Sequence, residues 1–197
     1  KKIIKMSKEL KIGIIGLGYV GLPLAVEFSK YHAVTGFDIS TKRIDDLKNK
    51  IDFTNEVDFT KISSLKNLKF SSDSNDLLEC SIFIITVPTP IDEFKNPNLN
   101  PLKNASTLVG KYLKKGDIVI YESTVYPGCT EEICVPILEE ESKKAHNKDF
   151  FTGYSPERIN PGDKINTLAK IIKVTSGSNR ETAIKVNKLY KTIITAG

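Results

Sequence analysis

Short apolar runs recur along the chain, separated by longer stretches whose apolar positions fall three and four residues apart. The short runs predict strands at Lys11–Gly16, Ala33–Phe37, Asn67–Ser71, Ser81–Thr86, Asp117–Tyr121, Asp149–Tyr154 and Ile171–Thr175. The stretches between them predict helices at Tyr19–Lys30, Lys42–Lys50, Leu102–Leu113, Thr130–Ala145 and Arg180–Ile194. In the last of these, Ile184, Val186, Leu189, Tyr190 and Ile193 share one helical face. Strands alternating with amphipathic helices predict an α/β fold, doubly wound and mostly parallel, with helices on both faces of the sheet. Residues 1–10 read as an N-terminal extension and residues 11–197 as one domain. Pro88–Pro101, with four prolines and three asparagines, reads as an ordered surface loop between elements.

The polar clusters fall where the strands end. Gly16-Leu17-Gly18-Tyr19-Val20-Gly21 follows the first apolar run, and Asp38 follows the second. Val87-Pro88-Thr89-Pro90, Glu122-Ser123-Thr124 and Ser155-Pro156-Glu157-Arg158 follow three others. In a parallel sheet the carboxyl ends share one edge, so these clusters converge on one crevice. The first is a G-x-G-x-x-G turn between a strand and a helix, the Rossmann arrangement for a dinucleotide. Gly16 allows the tight turn, Gly18 lets the backbone approach a pyrophosphate, and Gly21 lets helix and strand pack closely. The diphosphate then meets the N–H groups and positive end of the helix. Asp38 lies seventeen residues after Gly21, near the ~20 expected of the ribose-binding acid, which favours NAD over NADP. Lys42 and Arg43 could in principle accommodate NADP, and Asp38 also suits an N-cap for the helix starting near Thr41. Ser123 and Thr124 suit a hydroxyl-capped turn as well as a ligand contact. Glu157 beside Arg158 suits a structural ion pair, although its place on the ligand edge points to function.

Composition narrows the partners. The formal charge of +5 comes from lysines scattered along the chain, with no basic run interleaved with aromatics, so no nucleic-acid partner is expected. No apolar run is long enough to span a bilayer, and no apolar secretion segment follows the basic N-terminus, so no membrane partner is expected either. Cys80, Cys129 and Cys134 form no C-x-x-C pair and have no histidine nearby. That argues against a disulfide framework or a metal site and fits a reducing cytoplasm. Cys129, near a helix start, is the one thiol placed to be reactive, yet no base accompanies it. His32 and His146 read as solvated.

Together these motifs resemble the UDP-glucose/GDP-mannose dehydrogenase family. The resemblance is carried by Gly16–Pro23, Gly36-Phe37-Asp38, Val87–Pro90, Glu122–Gly128 and Ser155–Gly162. The run from Ser155 to Lys164, with Thr89-Pro90-Ile91-Asp92, is closest to the branch acting on UDP-N-acetylhexosamines, and Pro161 stands where the UDP-glucose branch has a second glutamate. The resemblance implies NAD as cofactor and oxidation of a nucleotide-sugar C6 alcohol to the acid, a precursor for surface polysaccharide. It implies that Gly16, Gly18, Tyr19, Val20, Gly21, Asp38 and Arg43 hold the adenosine and diphosphate end. Val87, Pro88, Thr89, Ser123 and Thr124 would line the path to the nicotinamide. Thr124 and Glu157 would orient a water at the reacting carbon, and Glu157, Arg158, Ile159 and Asn160 would contact the UDP-sugar. The family's nucleophilic cysteine, in a Gly-His-Cys context, captures the aldehyde and passes through a thioester. None of the three cysteines here has that context. The chain is therefore expected to be an N-terminal piece of a longer enzyme, homodimeric through a central helix beyond it, that binds NAD without completing the oxidation. Two rival readings are a related hydroxy-acid or acyl dehydrogenase and a free-standing NAD-binding regulatory module.

Overall fold

Alternation along each central strand serves two cores at once. In the computed structural model, which describes residues 10–62, 65–91, 93–94, 96–158 and 168–196, Ile12 and Ile14 face one side of the sheet and Ile15 the other. Ile82 and Ile84 oppose Phe83 and Ile85 in the same way, as Ile118 and Ile120 oppose Val119 and Tyr121. A strand buried on both faces reads as a continuous apolar run, and covering both faces requires two layers of helix.

The strands are β1 (Lys11–Ile15), β2 (Ala33–Phe37), β3 (Leu68–Ser71), β4 (Ile82–Ile85), β5 (Ile118–Tyr121), β6 (Phe151–Tyr154) and β7 (Ser176–Gly177). They form a seven-stranded sheet in the order β3-β2-β1-β4-β5-β6-β7, parallel except for the antiparallel β6–β7 pair. The helices are α1 (Gly21–Ser29), α2 (Thr41–Lys48), α3 (Asn100–Gly110), α4 (Val135–Ser142) and α5 (Arg180–Tyr190). Residues of α1, α2 and α5, among them Leu24, Phe28, Ile44, Leu47, Val186 and Leu189, cover one face. Leu102, Ala105 and Val109 of α3 and Leu138 of α4 cover the other. Chain order reverses direction between β1 and β4, and the crevice at that switch is where a doubly wound sheet takes its ligand.

The expected seventh strand at Ile171–Thr175 is absent; the strand lies at Ser176–Gly177 and runs antiparallel. Its alternation is inverted, with Ile172 at 68% and Val174 at 51% exposure while Lys173 is buried. The expected helix from Thr130 opens with a π-helical turn, Thr130–Cys134, and ends at Lys143 in the left-handed region, φ 57°. Single 3-10 turns at Phe59–Lys61 and Ser74–Leu77 were not expected; Asp58 and Asp73 cap them by accepting from Thr60 N and Asn75 N. Among the described residues no helix is long and apolar enough to cross a membrane.

Candidate functional site

The glycine loop leaves β1 at Ile15. Gly16 takes φ +94°, a region closed to most side chains, and its N–H donates to Phe37 O at 2.8 Å. A Cβ on Gly21 would sit 1.8 Å from Gly16 O and 2.4 Å from Thr86 Oγ1, so helix and strand close only over glycine. Thr86, at the end of β4, ties the turn down by donating between Ile15 O at 3.0 Å and Gly16 O at 2.7 Å. Gly18 is the opposite case: a Cβ there would meet nothing within 4 Å. Sterically the protein does not need glycine at that position, so the space belongs to something that docks against it. The head of α1 behind it has no side-chain cap. In its first turn Leu22 N donates to Gly18 O at 3.1 Å, Leu24 N donates to Val20 O at 3.3 Å and Pro23 has no N–H, so the positive end of the dipole meets the crevice through the glycine loop and Gly21. Tyr19 is 43% exposed at the rim, whereas the Val20 side chain is buried, leaving only its backbone for a ligand.

Asp38 closes the far side of this loop. Its Oδ2 accepts from Leu17 N at 2.8 Å and its Oδ1 from Ser40 N at 2.9 Å. Ser40, not Asp38, caps α2, accepting from Arg43 N at 3.2 Å. The carboxylate is thus fixed by two backbone donors with acceptor capacity left for a ribose diol. It lines a cleft of about 320 Å³ together with Leu17, Gly18, Ser40, Lys42, Arg43, Asp46 and Phe53. Arg43 is already engaged there. Its Nε donates to Leu17 O at 2.8 Å, its Nη2 lies 2.9 Å from Asp52 Oδ1, and its guanidinium carbon stands 4.2 Å from the centre of the Phe53 ring. Nη1 is buried without a hydrogen-bond partner. Asp52 is buried too. Burial raises its pKa, but donors from Thr54, Val57 and Arg43 outweigh that and hold it below the usual value.

The loops after β4 and β5 are joined to each other. Ser123 Oγ donates to Val87 O at 2.6 Å, and Thr89 Oγ1 donates to Thr124 O at 2.7 Å. Ser123 is buried by this contact, whereas Thr124 and Pro88 are exposed at the sheet edge. Beyond β6, Glu157 Oε1 accepts from the N–H of Arg158 at 2.6 Å, and Oε2 lies 3.9 Å from Lys173 Nζ. Lys173 forms a close ion pair with Glu122 Oε1, and Tyr190 OH donates to Glu122 Oε2 at 2.7 Å. Glu122 is raised to about 7, chiefly by burial and against the pull of Lys173. Ile159 and Asn160 lie outside the described residues, as do Pro161–Lys164 and Asp92.

The thiols are not placed for chemistry. All three are buried, and burial pushes Cys80 up to about 11 and Cys134 up to about 12, and raises Cys129 as well. The histidines are half-buried instead of solvated: His32 packs on Phe28, and His146 Nε2 lies 2.8 Å from Thr152 Oγ1.

The sequence profile of the UDP-glucose/GDP-mannose dehydrogenase family, NAD binding domain, matches residues 10–194. The chain belongs to that family. It is 60% identical over 190 residues to UDP-N-acetyl-D-glucosamine 6-dehydrogenase of Pseudomonas aeruginosa, covering 96% of this chain and 45% of that protein. It is 56% identical to the protein of the same name from Salmonella typhi, covering 96% and 44%. The solved structure of a UDP-D-ManNAc dehydrogenase from Pyrococcus horikoshii superposes with a TM-score of 0.86 at 31% identity, over 94% of this chain and 45% of that one. The chain thus spans about half the length of the relatives it matches.

NAD is the cofactor of this domain, and the residues present fit it. The space over Gly18, the uncapped head of α1 and the anchored Asp38 carboxylate form a cradle for a dinucleotide. In this family member the sheet brings Gly16, Gly18, Asp38, Arg43, Thr89, Ser123, Thr124 and Glu157 to one edge. Sequence reasoning missed Thr86, Asp52, Lys173 and Tyr190. Thr86 was discoverable as a hydroxyl residue closing a strand beside the glycine turn. Asp52, Lys173 and Tyr190 carry no local signal, because their partners come from distant segments.

Proposed function

We propose that this chain is the cofactor half of an enzyme that oxidises the C6 alcohol of a UDP-N-acetylhexosamine to the carboxylate. The stoichiometry is two NAD reduced per sugar, with water supplying the second oxygen. The observation that carries this reading is the single sheet edge shared by the Gly18 cradle, the Asp38 carboxylate, the joined β4 and β5 loops that bear Thr124, and Glu157 after β6. The choice of sugar rests on the relatives above, which share 60% and 56% of its residues and carry that substrate in their names.

When bound, NAD supplies a hydride acceptor. The chain's own residues do the rest. Asp38 accepts the ribose hydroxyls and repels a 2′-phosphate, while the head of α1 and the backbone of Gly18 to Val20 take the diphosphate. Thr89 and Ser123 act through the loops they join: their hydroxyls are used to fix the backbone that presents Thr124. Glu157 holds and deprotonates a water at the reacting carbon, aided by the Thr124 hydroxyl. Arg158, Ile159 and Asn160 contact the UDP-sugar. The nucleophile for the aldehyde stage is not among Cys80, Cys129 and Cys134, whose thiols are buried. It belongs to the whole protein outside this chain, as does dimerisation.

The test is NADH formation followed by absorbance. The whole protein should reduce NAD with UDP-N-acetylglucosamine, and Glu157→Gln should lower kcat by about 10²–10⁴. This chain by itself should bind NAD in a calorimeter and form no NADH. NADH production by the chain alone, or a Glu157→Gln enzyme with undiminished turnover, would overturn the assignment.

A further inference from the structure

Lys173 is the least expected residue of the site. A lysine side chain 2% exposed is rare, and this one sits between two exposed apolar neighbours, Ile172 and Val174. Its surroundings come from three separate elements. Glu122, at the end of β5 and with its side chain fully buried, forms the close ion pair. Tyr190, from α5, fixes the other oxygen of that carboxylate and places its ring 6.0 Å from the ammonium. Pro156 O, in the residue before Glu157, accepts from Nζ at 3.3 Å. Glu157 Oε2 lies 3.9 Å away with its side chain 7% exposed. One ammonium therefore serves two carboxylates and the backbone that carries the second.

We propose that Lys173, clamped by Glu122 and Tyr190, is a positioning residue that holds the Glu157 carboxylate at the crevice. The inference rests on the reading that Glu157 works on the reacting carbon. A purely structural pair would do as well with apolar residues of the same size, because desolvation offsets most of what a buried ion pair contributes. The geometry here does something an apolar pair would not. The clamp by Glu122 and Tyr190 fixes the ammonium, the Pro156 contact sets the backbone entering Glu157, and the remaining positive charge faces Glu157 Oε2. Glu157 Oε1 is meanwhile held by the N–H of Arg158. The carboxylate is thus oriented at both oxygens, with Lys173, Glu122, Tyr190 and the Arg158 backbone facing it from four segments of the chain. Because Glu122 competes for the same ammonium, it opposes Glu157 as well as anchoring its partner.

Three variants separate this from a merely structural role: Lys173→Arg, Glu122→Gln, and the double variant Lys173→Met/Glu122→Gln, which removes both members of the inner pair and leaves neither unpaired. In the whole enzyme, the double variant should lose at least tenfold in kcat with KM for NAD unchanged, and the acid limb of its kcat–pH profile should move to higher pH. Lys173→Arg should restore most of the rate. Glu122→Gln, which leaves the ammonium to Glu157 alone, should move the acid limb the other way. In this chain, the amide proton of Arg158 should lose its hydrogen-bonded shift in the double variant while NAD affinity stays at the parent value. An unchanged pH profile and Arg158 amide in a double variant that still binds NAD would overturn the proposal. If that variant does not bind NAD, an acid limb in Glu122→Gln that stays put or moves upward would overturn it instead. The Glu157→Gln turnover assay fails separately: it bears on the reaction assignment and leaves the Arg158 amide result standing.

Discussion

Gly18 and Gly21 belong to the same motif yet should respond oppositely to the same substitution. In Gly21→Ala the new methyl would lie 1.8 Å from the carbonyl oxygen of Gly16 and 2.4 Å from Thr86 Oγ1. The nearer clash is with backbone that cannot swing away, so α1 must lift from β1. Overpacking of this kind costs about 3 kcal/mol, which for a domain of this size lowers Tm by roughly 6–12 °C. In Gly18→Ala the methyl meets nothing within 4 Å, and Gly18 does not occupy the left-handed region. Stability should hold or rise by about 0.4–1 kcal/mol, because alanine reduces the freedom of the unfolded chain. The effect falls on the cofactor instead. A phosphate oxygen bonded to a loop N–H sits about 2.9 Å from the nitrogen, and a methyl on the adjacent Cα occupies the space behind it. Loss of one charge-assisted hydrogen bond costs about 1.5–3 kcal/mol, or roughly 10- to 150-fold in affinity. Thermal unfolding without ligand, paired with calorimetric titration of NAD, reads both quantities. A Gly18→Ala protein that binds NAD like the parent, or a Gly21→Ala protein with unchanged Tm, would refute the division of roles.

Asp38→Ala should weaken NAD at least tenfold by calorimetry, and equal affinity in both proteins would count against the ribose assignment. Asp38→Ala should gain little NADP binding, because Arg43 is already engaged by Leu17 O and Asp52. Adding Asp52→Asn should raise NADP affinity at least tenfold over the single variant, and a single variant that binds NADP as tightly as the double would sink that argument. The three thiols should react with a chromogenic disulfide reagent at pH 8 only after unfolding, since burial raises each of them; rapid labelling of the native protein would contradict this. Glu122 is raised from 4.5 to about 7, so between those values the native state holds a proton that the unfolded state has released. Its contribution to stability is therefore full below pH 4.5 and is lost as pH rises through 7, by roughly 3 kcal/mol. Urea midpoints compared across that range should move in favour of Glu122→Gln over the parent as pH rises, and a constant difference would refute the assignment.

Much of the fold was legible because its causes are local. Continuous apolar runs marked β1, β4 and β5, since strands buried on both faces show no alternation to misread. Gly16 and Gly21 were legible for a similar reason: their requirement is met by the loop's own backbone within a few residues. Asp38 stood out by its spacing; the structure sets its carboxylate on Leu17 N and Ser40 N and gives the cap of α2 to Ser40. The segment Ile171–Thr175 failed under the same rule. Its short apolar run predicts a strand, but Lys173 is drawn inward to two buried carboxylates while Ile172 and Val174 face solvent.

Arg43 shows the same reversal in the cofactor cleft. Read along the chain, Arg43 is a cation after Asp38 that could in principle accommodate NADP, and the family resemblance gives it the adenosine and diphosphate end of NAD. In the fold it is buried, because Leu17 O and Asp52 present acceptors that its neighbours in sequence do not reveal. Tyr190 reads as one more apolar position on α5, yet its hydroxyl crosses 68 residues of sequence to reach Glu122. In each case the residue type was visible and its partner was not. A buried charge or hydroxyl is stable only where a specific acceptor awaits it, and here those acceptors arrive through tertiary topology. The part of the site hidden from the sequence is therefore its ion-paired interior, Lys173 with Glu122 and Arg43 with Asp52. That interior bears on the cofactor reading proposed above: Arg43 is held by Leu17 O and Asp52, so of the two cations lining the cleft with Asp38 only Lys42 is exposed.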